Sequence, residues 1–178
     1  MRKIFFHLLL LLTTSMATNA QIKTEQSTPL IIGNIDHIYS TILGESRVLN
    51  IYLPEGYKEK DTTKYPIIYV LDGSIDEDFL HIVGIVQYNN FSWINIVPKS
   101  IVVGIANVNR RRDFTGPTNF EMDKQHAPTG GGSAKFIKFI EQELQPFINK
   151  KYKSNNQNTI IGQSLAGLLA TEILFTKR

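Results

Sequence analysis

The sequence predicts an α/β protein with a mostly parallel sheet that begins with a β-hairpin. Three short runs, residues 66–71, 101–106 and 158–161, are apolar on both faces. This pattern is typical of parallel strands that helices cover from both sides. The segments between the runs repeat apolar residues at helical spacing. The alternation indicates a sheet with helices on its faces, an α/β sandwich.

A β-hairpin is predicted near the start of the domain. Residues 38–43 and 47–53 alternate in polarity, and residues 44–46 lie between them as the turn. Pro54 ends the second strand, because proline cannot donate a hydrogen bond to a neighbouring strand. Residues 21–35 form a polar lead-in. We assign residues 36–178 to a single domain.

Three helices are predicted to pack on this sheet. Residues 79–86 follow three acidic residues, which favour a helix N-terminus. Apolar residues recur at helical spacing from Ser133 to Ile148, and Pro146 is expected to kink or tighten that helix near its end. Residues 165–175 form the third helix. The glycines at 130–132 lack the Lys-Ser/Thr of a phosphate loop, so we interpret them as a flexible helix entry.

Residues 1–20 have the pattern of a cleavable secretory signal peptide. Arg2 and Lys3 precede a short apolar run, and small residues end at Ala20. The run is shorter than the roughly 20 apolar residues of a spanning helix. The sequence therefore predicts a secreted or periplasmic protein with no membrane span in its mature chain. An uncleaved anchor is the alternative.

Composition excludes several classes of function. Without the predicted signal peptide, 17 basic residues face 16 acidic ones, which argues against a nucleic-acid partner. The chain has no cysteine, and so no disulfide or thiolate metal site. Its histidines lack the spacing of a zinc motif. Helix capping explains the acids at residues 72–78 better than a calcium loop does. We expect neither a metal nor a cofactor.

Residues 159–167 combine a strand end, a turn that carries a serine, and a helix start. A serine nucleophile needs a base to remove its proton and a position clear of the strand. A sharp strand-to-helix turn, the nucleophile elbow, provides that position, with small residues where backbones meet. Ser164 is the candidate nucleophile. The elbow is completed by Gly162, Gln163, Ala166 and Gly167. An ordinary turn with a capping serine is the alternative.

Backbone amides near such a serine stabilise the negative oxygen that forms during acyl transfer. The elbow directs the amide of Leu165 to the site, and the loop after the strand at residues 66–71 is expected to supply a second donor. That loop contains Gly73 and Ser74. A simple turn with a helix cap at Ser74 or Asp76 explains the same residues.

A basic segment follows the strand at residues 101–106. It lies where parallel sheets usually bind ligands, beyond the carboxyl ends of the strands. These side chains could bind an anionic or catecholate-like substrate; a solvated loop with one Arg–Asp pair is the alternative. The basic residues are Arg110, Arg111 and Arg112.

Five stretches occur together in the order of a known family. They are residues 65–73, 101–107, 110–113, 143–148 and 161–167. In these the chain resembles the putative esterases of the α/β-hydrolase superfamily (esterase D-like), which include enterochelin-type siderophore esterases. The resemblance implies Ser164 as nucleophile, Leu165 as an oxyanion donor and carboxylic-ester substrates without a cofactor.

The resemblance also implies parts that this chain does not contain. Family members continue with further strands that carry the triad acid and histidine, so we expect residues 36–178 to be the N-terminal portion of the domain and inactive as given. The predicted function is a secreted serine esterase that acts through an acyl-serine intermediate on a small-molecule or carbohydrate-linked ester. A non-catalytic remnant that binds a ligand or a partner is the alternative.

Overall fold

The computed structural model describes residues 26–60 and 62–176. All strands and helices described here lie in one compact unit that begins at Ile32. The predicted signal peptide, residues 1–20, lies outside the described residues. Its assignment stays a prediction.

The described residues form one five-stranded sheet. Its order is β1-β2-β4-β3-β5. Strands β1 and β2 form an antiparallel hairpin, and β2 also pairs antiparallel with β4. Strand β3 pairs parallel with β4 on one side and with β5 on the other. The strands are β1 (Gly33–Ser40), β2 (Glu45–Tyr52), β3 (Tyr65–Val70), β4 (Ile101–Ile105) and β5 (Ser154–Ile161).

Helices connect the parallel strands and cover the sheet. Helix α1 lies between β3 and β4, and four helices lie between β4 and β5. The last helix, α6, follows β5 after a tight turn. The helices are α1 (Phe79–Asn89), α2 (Arg110–Phe114), α3 (Glu121–His126), α4 (Ser133–Phe139), α5 (Gln145–Lys151) and α6 (Leu165–Thr176).

Both faces of β3 and β4 are buried, as their doubly apolar runs predict, but the prediction was wrong for residues 158–161 of β5, which are exposed or half-buried. Along β3, Ile67 and Tyr69 belong to one buried cluster, while Ile68 and Val70 belong to a second. The first cluster includes residues of α4, α5 and α6, and the second includes residues of α1. The predicted α/β sandwich with a mostly parallel sheet and an N-terminal hairpin is therefore confirmed.

The hairpin prediction was wrong about the position of the turn. The strands end and begin earlier than predicted, and the turn is residues 41–44 rather than 44–46. Glu143 fixes this turn, because its carboxylate accepts hydrogen bonds from the Thr41 amide at 2.9 Å and the Ile42 amide at 3.2 Å. Gly44 closes the turn at a φ of 73°, which glycine adopts without strain.

The long helix changes its winding immediately before Pro146. Residues Ile140–Leu144 form a π-helical turn that joins α4 to α5. In this wider turn the Gln145 amide bonds to the Ile140 carbonyl, five residues back. Proline has no N–H, so it cannot bond to an earlier carbonyl of the helix. The helix therefore widens before Pro146 instead of tightening there, and this π turn also carries Glu143.

Three parallel strands end at the same edge of the sheet. Asp72 lies just beyond β3, Asn107 lies just beyond β4, and Gln163 follows β5. This edge holds the elbow and the residues that support it. None of the described helices is long and apolar enough to cross a membrane.

Candidate active site

Ser164 lies in the turn between β5 and α6. Its φ is 56°, in the left-handed region that residues other than glycine seldom adopt. Helix α6 begins with the next residue, and the Ser164 carbonyl accepts a hydrogen bond from the Leu168 amide at 3.1 Å. The residue is exposed. A strained, exposed serine at a strand-to-helix turn has the geometry that a nucleophile elbow requires.

Small residues let the two sides of the elbow approach. A Cβ atom on Gly162 would lie 2.5 Å from the Ala166 carbonyl oxygen and 2.6 Å from its carbon. Ala166 itself is fully buried. A Cβ on Gly167 would lie 3.3 Å from the Gly162 oxygen, which is close but less severe. The methyl group of Ala166 is therefore accommodated, and Gly162 is the position that excludes any side chain.

The Leu165 amide is free to bind an oxyanion. Leu165 is the first residue of α6, whose first four amides have no acceptor within the helix. Among the described residues no acceptor is bonded to this amide, whereas the Ala166 amide donates to the Gln163 carbonyl at 3.0 Å. The Leu165 N–H also lies at the positive end of the helix dipole. This arrangement favours negative charge beside Ser164.

The structure corrects the expected role of Gly73. Its amide donates a hydrogen bond of 3.0 Å to the Ile105 carbonyl, so this N–H is not available to an oxyanion. A Cβ on Gly73 would lie 2.4 Å from the Gly104 Cα, so glycine is needed here for close packing of two backbones. The neighbouring Ser74 is half-buried, and its role as second oxyanion donor stays a prediction. Asp78, rather than Ser74 or Asp76, occupies the N-cap position of α1, and its side chain makes no capping hydrogen bond.

Asp72 connects the three strand ends. It has a φ of 54°, and its carboxylate accepts a hydrogen bond from the Asn107 side chain at 2.7 Å. Arg110 binds the same carboxylate with two nitrogens, Nε at 2.7 Å and Nη2 at 2.8 Å. Nη2 also donates to the Gln163 carbonyl at 3.4 Å. The hydrogen bond to Asp72 raises the pKa of Arg110, which is therefore always charged.

The basic segment is a helix with internal partners rather than a solvated loop. Arg111 donates to the backbone carbonyl of His126. Arg112 binds Glu45 at 2.5 Å and Asp113 at 2.7 Å, and these hydrogen bonds raise its pKa. The predicted substrate role of these three arginines is not supported for Arg112, whose guanidinium is already occupied by two carboxylates.

A cleft of about 740 Å³ lies next to the elbow. Leu165 and Leu168 of α6 form one side of it, and residues of the α2–α4 connection, including Pro117, Pro128 and His126, form the other. Its size is that of small-molecule sites, which are mostly apolar with a few polar groups. The wall of the cleft thus includes Leu165, the residue that follows Ser164.

The described histidines are not bonded to Ser164. His37 lies in β1, at the opposite edge of the sheet from β5, and His81 is an exposed residue of α1. His126 borders the cleft, and its Nδ1 lies 2.7 Å from the Met122 carbonyl. Within residues 26–60 and 62–176 no hydrogen bond to the Ser164 hydroxyl identifies a general base.

Sequence reasoning missed Asp72 and Asn107 as parts of the site. A signal was available, because both residues directly follow apolar strand runs and polar residues at that position meet at one sheet edge. It also missed that Arg110 would pair with Asp72. Of the predicted site residues, the structure brings Arg110, Gln163 and Ser164 together and takes Gly73 out of the oxyanion site.

Comparisons with known proteins place the chain among esterases. Residues 40–175 match the family described as putative esterase. The chain is 30% identical over 146 residues to the ferri-bacillibactin esterase BesA of Bacillus subtilis (strain 168), covering 75% of this chain and 50% of BesA.

Two solved structures have a similar fold. An IroE-like serine hydrolase from Shewanella oneidensis is 35% identical, with a TM-score of 0.71, over 82% of this chain and 47% of that one. The BES protein from Bacillus cereus is 29% identical, with a TM-score of 0.70, over 86% of this chain and 60% of that one. The chain spans about half the length of these relatives. The folds agree with the α/β-hydrolase architecture.

Proposed function

Because this chain belongs to the putative esterase family, we propose that it provides the nucleophile of a carboxylic-ester hydrolase. The Ser164 hydroxyl oxygen attacks the ester carbonyl carbon, and its proton passes to a base. The carbonyl oxygen becomes negative and accepts a hydrogen bond from the Leu165 amide. The base returns this proton to the departing alcohol oxygen and an acyl-serine remains; water then attacks the acyl carbon, giving its proton by way of the base to the Ser164 oxygen as the acid leaves.

One observation carries this proposal. Ser164 has a left-handed φ of 56° at a strand-to-helix turn, and Gly162 packs against the backbone of Ala166 with no room for a side chain. A capping serine does not need this conformation, since N-cap residues usually have β-region backbone angles. The strain at Ser164 favours a functional turn over a structural one.

Labelling with a fluorophosphonate tests the proposal. An activated serine reacts with this reagent much faster than an ordinary one, and a mass spectrum locates the adduct. We expect the adduct on Ser164 in preference to the other serines, at a rate limited by the lack of a bonded base among the described residues, and its loss in Ser164→Ala. Ser164→Gly is the matched variant, because glycine adopts a positive φ without strain and so removes only the hydroxyl. Retained ester turnover in both variants would exclude Ser164 as the nucleophile.

We further propose that residues 26–176 alone turn over esters slowly. None of the described histidines is hydrogen-bonded to Ser164, and loss of the base lowers kcat by roughly 10⁶ in a serine hydrolase triad. This observation favours the second candidate function, a non-catalytic domain of the same fold that binds a ligand or a partner. Rapid ester turnover by this chain would contradict both the slow rate and the non-catalytic role.

A siderophore ester is the first substrate to test. The curated relative BesA is named for ferri-bacillibactin, and it is 30% identical to this chain. The cleft beside Leu165 has the volume of a small-molecule site and could receive part of such an ester. A carbohydrate-linked ester is the alternative. The ester class with the higher kcat/KM is the preferred substrate.

We propose that the protein is secreted or periplasmic, on the pattern of residues 1–20. The chain exported from a bacterial host should begin at Gln21. An exported or cytoplasmic chain that still begins at Met1 would contradict this cleavage. N-terminal sequencing of the purified protein makes the measurement.

A further inference from the structure

Arg110 has a geometry that suits one task, holding the elbow. Its guanidinium donates from two nitrogens to the Asp72 carboxylate, at 2.7 and 2.8 Å, and one of these, Nη2, also lies 3.4 Å from the Gln163 carbonyl oxygen. Nη2 carries two hydrogens, so it can serve both acceptors at once. Gln163 is the residue immediately before Ser164. The arginine therefore joins the end of β3 to the backbone of the elbow.

Asp72, whose carboxylate Arg110 binds, is itself held in place by hydrogen bonds. Asp72 has a left-handed φ of 54°, and it is bonded on both sides. Its carboxylate also accepts from Asn107 at 2.7 Å, and its carbonyl accepts from the Asp78 amide at 3.0 Å. A backbone in this region persists when surrounding bonds over-determine it. Asp72 is only 7% exposed, so its charge also requires a partner.

We propose that Arg110 is a positioning residue that holds the Gln163 carbonyl and thereby keeps Ser164 in its left-handed conformation. This inference rests on the proposed function of Ser164. Arg110 packs on the Phe114 ring, with its Cζ 5.6 Å from the ring centre, which limits its freedom to reach a ligand. A planar guanidinium can grip both carboxylate oxygens and the carbonyl together, whereas the single ammonium of lysine cannot.

The test compares four variants of the protein. Arg110→Ala removes the guanidinium, and Arg110→Lys keeps only the charge. Asp72→Asn removes the charge but keeps the shape of the side chain, and asparagine tolerates a positive φ. Lys151→Ala is the matched control, because Lys151 forms an ion pair with Asp36 at 2.5 Å and its side chain is 47% exposed, against 37% for Arg110.

Two readouts separate positioning from a general loss of stability. The first is amide hydrogen exchange at Ala166 and Leu168, whose N–H groups bond to Gln163 and Ser164. In Arg110→Ala these amides should exchange about tenfold faster, while the amides of β4 keep their rates. The second is the concentration dependence of labelling by a small neutral fluorophosphonate. The maximal rate should fall about tenfold and the half-saturating concentration should stay the same.

The outcomes decide the inference in either direction. Arg110→Lys should behave like Arg110→Ala, and added guanidinium ion should restore labelling in Arg110→Ala only. Unchanged exchange and unchanged maximal rate in both Arg110 variants would overturn the proposal. A change only in the half-saturating concentration would also overturn it, since that result indicates a direct ligand contact. If Arg110→Ala does not fold, Asp72→Asn takes its place in both readouts.

The failure of the proposed function is distinguishable from the failure of this inference. If the wild type shows no labelling of Ser164, the nucleophile assignment fails. The exchange experiment then still measures whether Arg110 holds the turn, because it needs no reaction. Faster exchange confined to Ala166 and Leu168 supports the positioning role, and unchanged exchange refutes it.

Discussion

Replacement of Gly162 by alanine should open the elbow. The new Cβ atom would lie 2.5 Å from the Ala166 carbonyl oxygen, while ordinary contacts begin at 3.4 Å, so the two sides must separate by 0.9 Å. The obstacle is helix backbone, and no side-chain rotation can relieve it. The φ of Gly162 is outside the positive region, so the clash alone disfavours alanine. Overpacking of this kind costs about 1–3 kcal/mol.

The same separation should slow the chemistry at Ser164. A misplacement of about 1 Å typically lowers the rate of a positioned reaction by roughly 10²-fold. We therefore expect Gly162→Ala to label with a fluorophosphonate about 10²-fold more slowly than the wild type. Both effects arise from one displacement, so they should appear together.

Gly84→Ala provides the matched control. Gly84 is exposed within α1, and a Cβ there would meet no atom within 4 Å. Alanine in a helix interior is more stable than glycine by roughly 0.5–1 kcal/mol. Urea unfolding should thus give a lower midpoint for Gly162→Ala and an equal or higher midpoint for Gly84→Ala. A Gly162→Ala protein with wild-type stability and labelling rate would refute the reasoning.

Four further predictions concern stability, each checked by urea unfolding. Tyr69→Phe should be neutral or stabilising by about 1 kcal/mol, because burial leaves the Tyr69 hydroxyl without a partner among the described residues. Tyr152→Phe should instead cost about 1.5–3 kcal/mol, because it removes a hydroxyl that donates to a carboxylate at 2.8 Å; equal effects of the two changes would contradict this. Asp113→Ala should cost about 3 kcal/mol, because the fully buried Arg47 loses its 2.6 Å partner and keeps only the partly exposed Glu45; a loss below about 1 kcal/mol would contradict it. Hydrogen bonding to an arginine lowers the pKa of Glu45, so its carboxylate stabilises the fold above its ordinary pKa of about 4.3 and loses that effect as the pH falls through the lowered value. Glu45→Gln should flatten the loss of stability in this acid range, and an unchanged pH profile would exclude the contribution.

The sequence predicted those features that depend on neighbouring residues. Parallel strands are apolar on both faces, so their runs stand out, and the elbow is a contiguous segment at residues 159–167. Helices α2 and α3 were not predicted, because five or six residues are too few to show a helical period. Short helices of this kind depend on tertiary contacts rather than on their own sequence.

Contacts between residues far apart in the sequence account for the remaining differences between the predictions and the structure. The hairpin turn is fixed by Glu143, which lies 102 positions from Thr41, and no local pattern reveals that bond. The pairing of Asp72 with Arg110 spans 38 positions. The sequence predicts Gly73 in an oxyanion loop, but its amide donates to the Ile105 carbonyl of β4. Such contacts follow from the order of strands in the sheet, which a single sequence specifies only indirectly.

The most direct test of the central claim is the site of fluorophosphonate attachment in the folded and the urea-unfolded chain. Peptide mapping measures the adduct on each serine under both conditions. If the elbow activates Ser164, this residue should carry most of the adduct in the folded protein and lose its advantage on unfolding. Equal labelling of all exposed serines in the folded chain, or preferential labelling of another serine, would contradict the account.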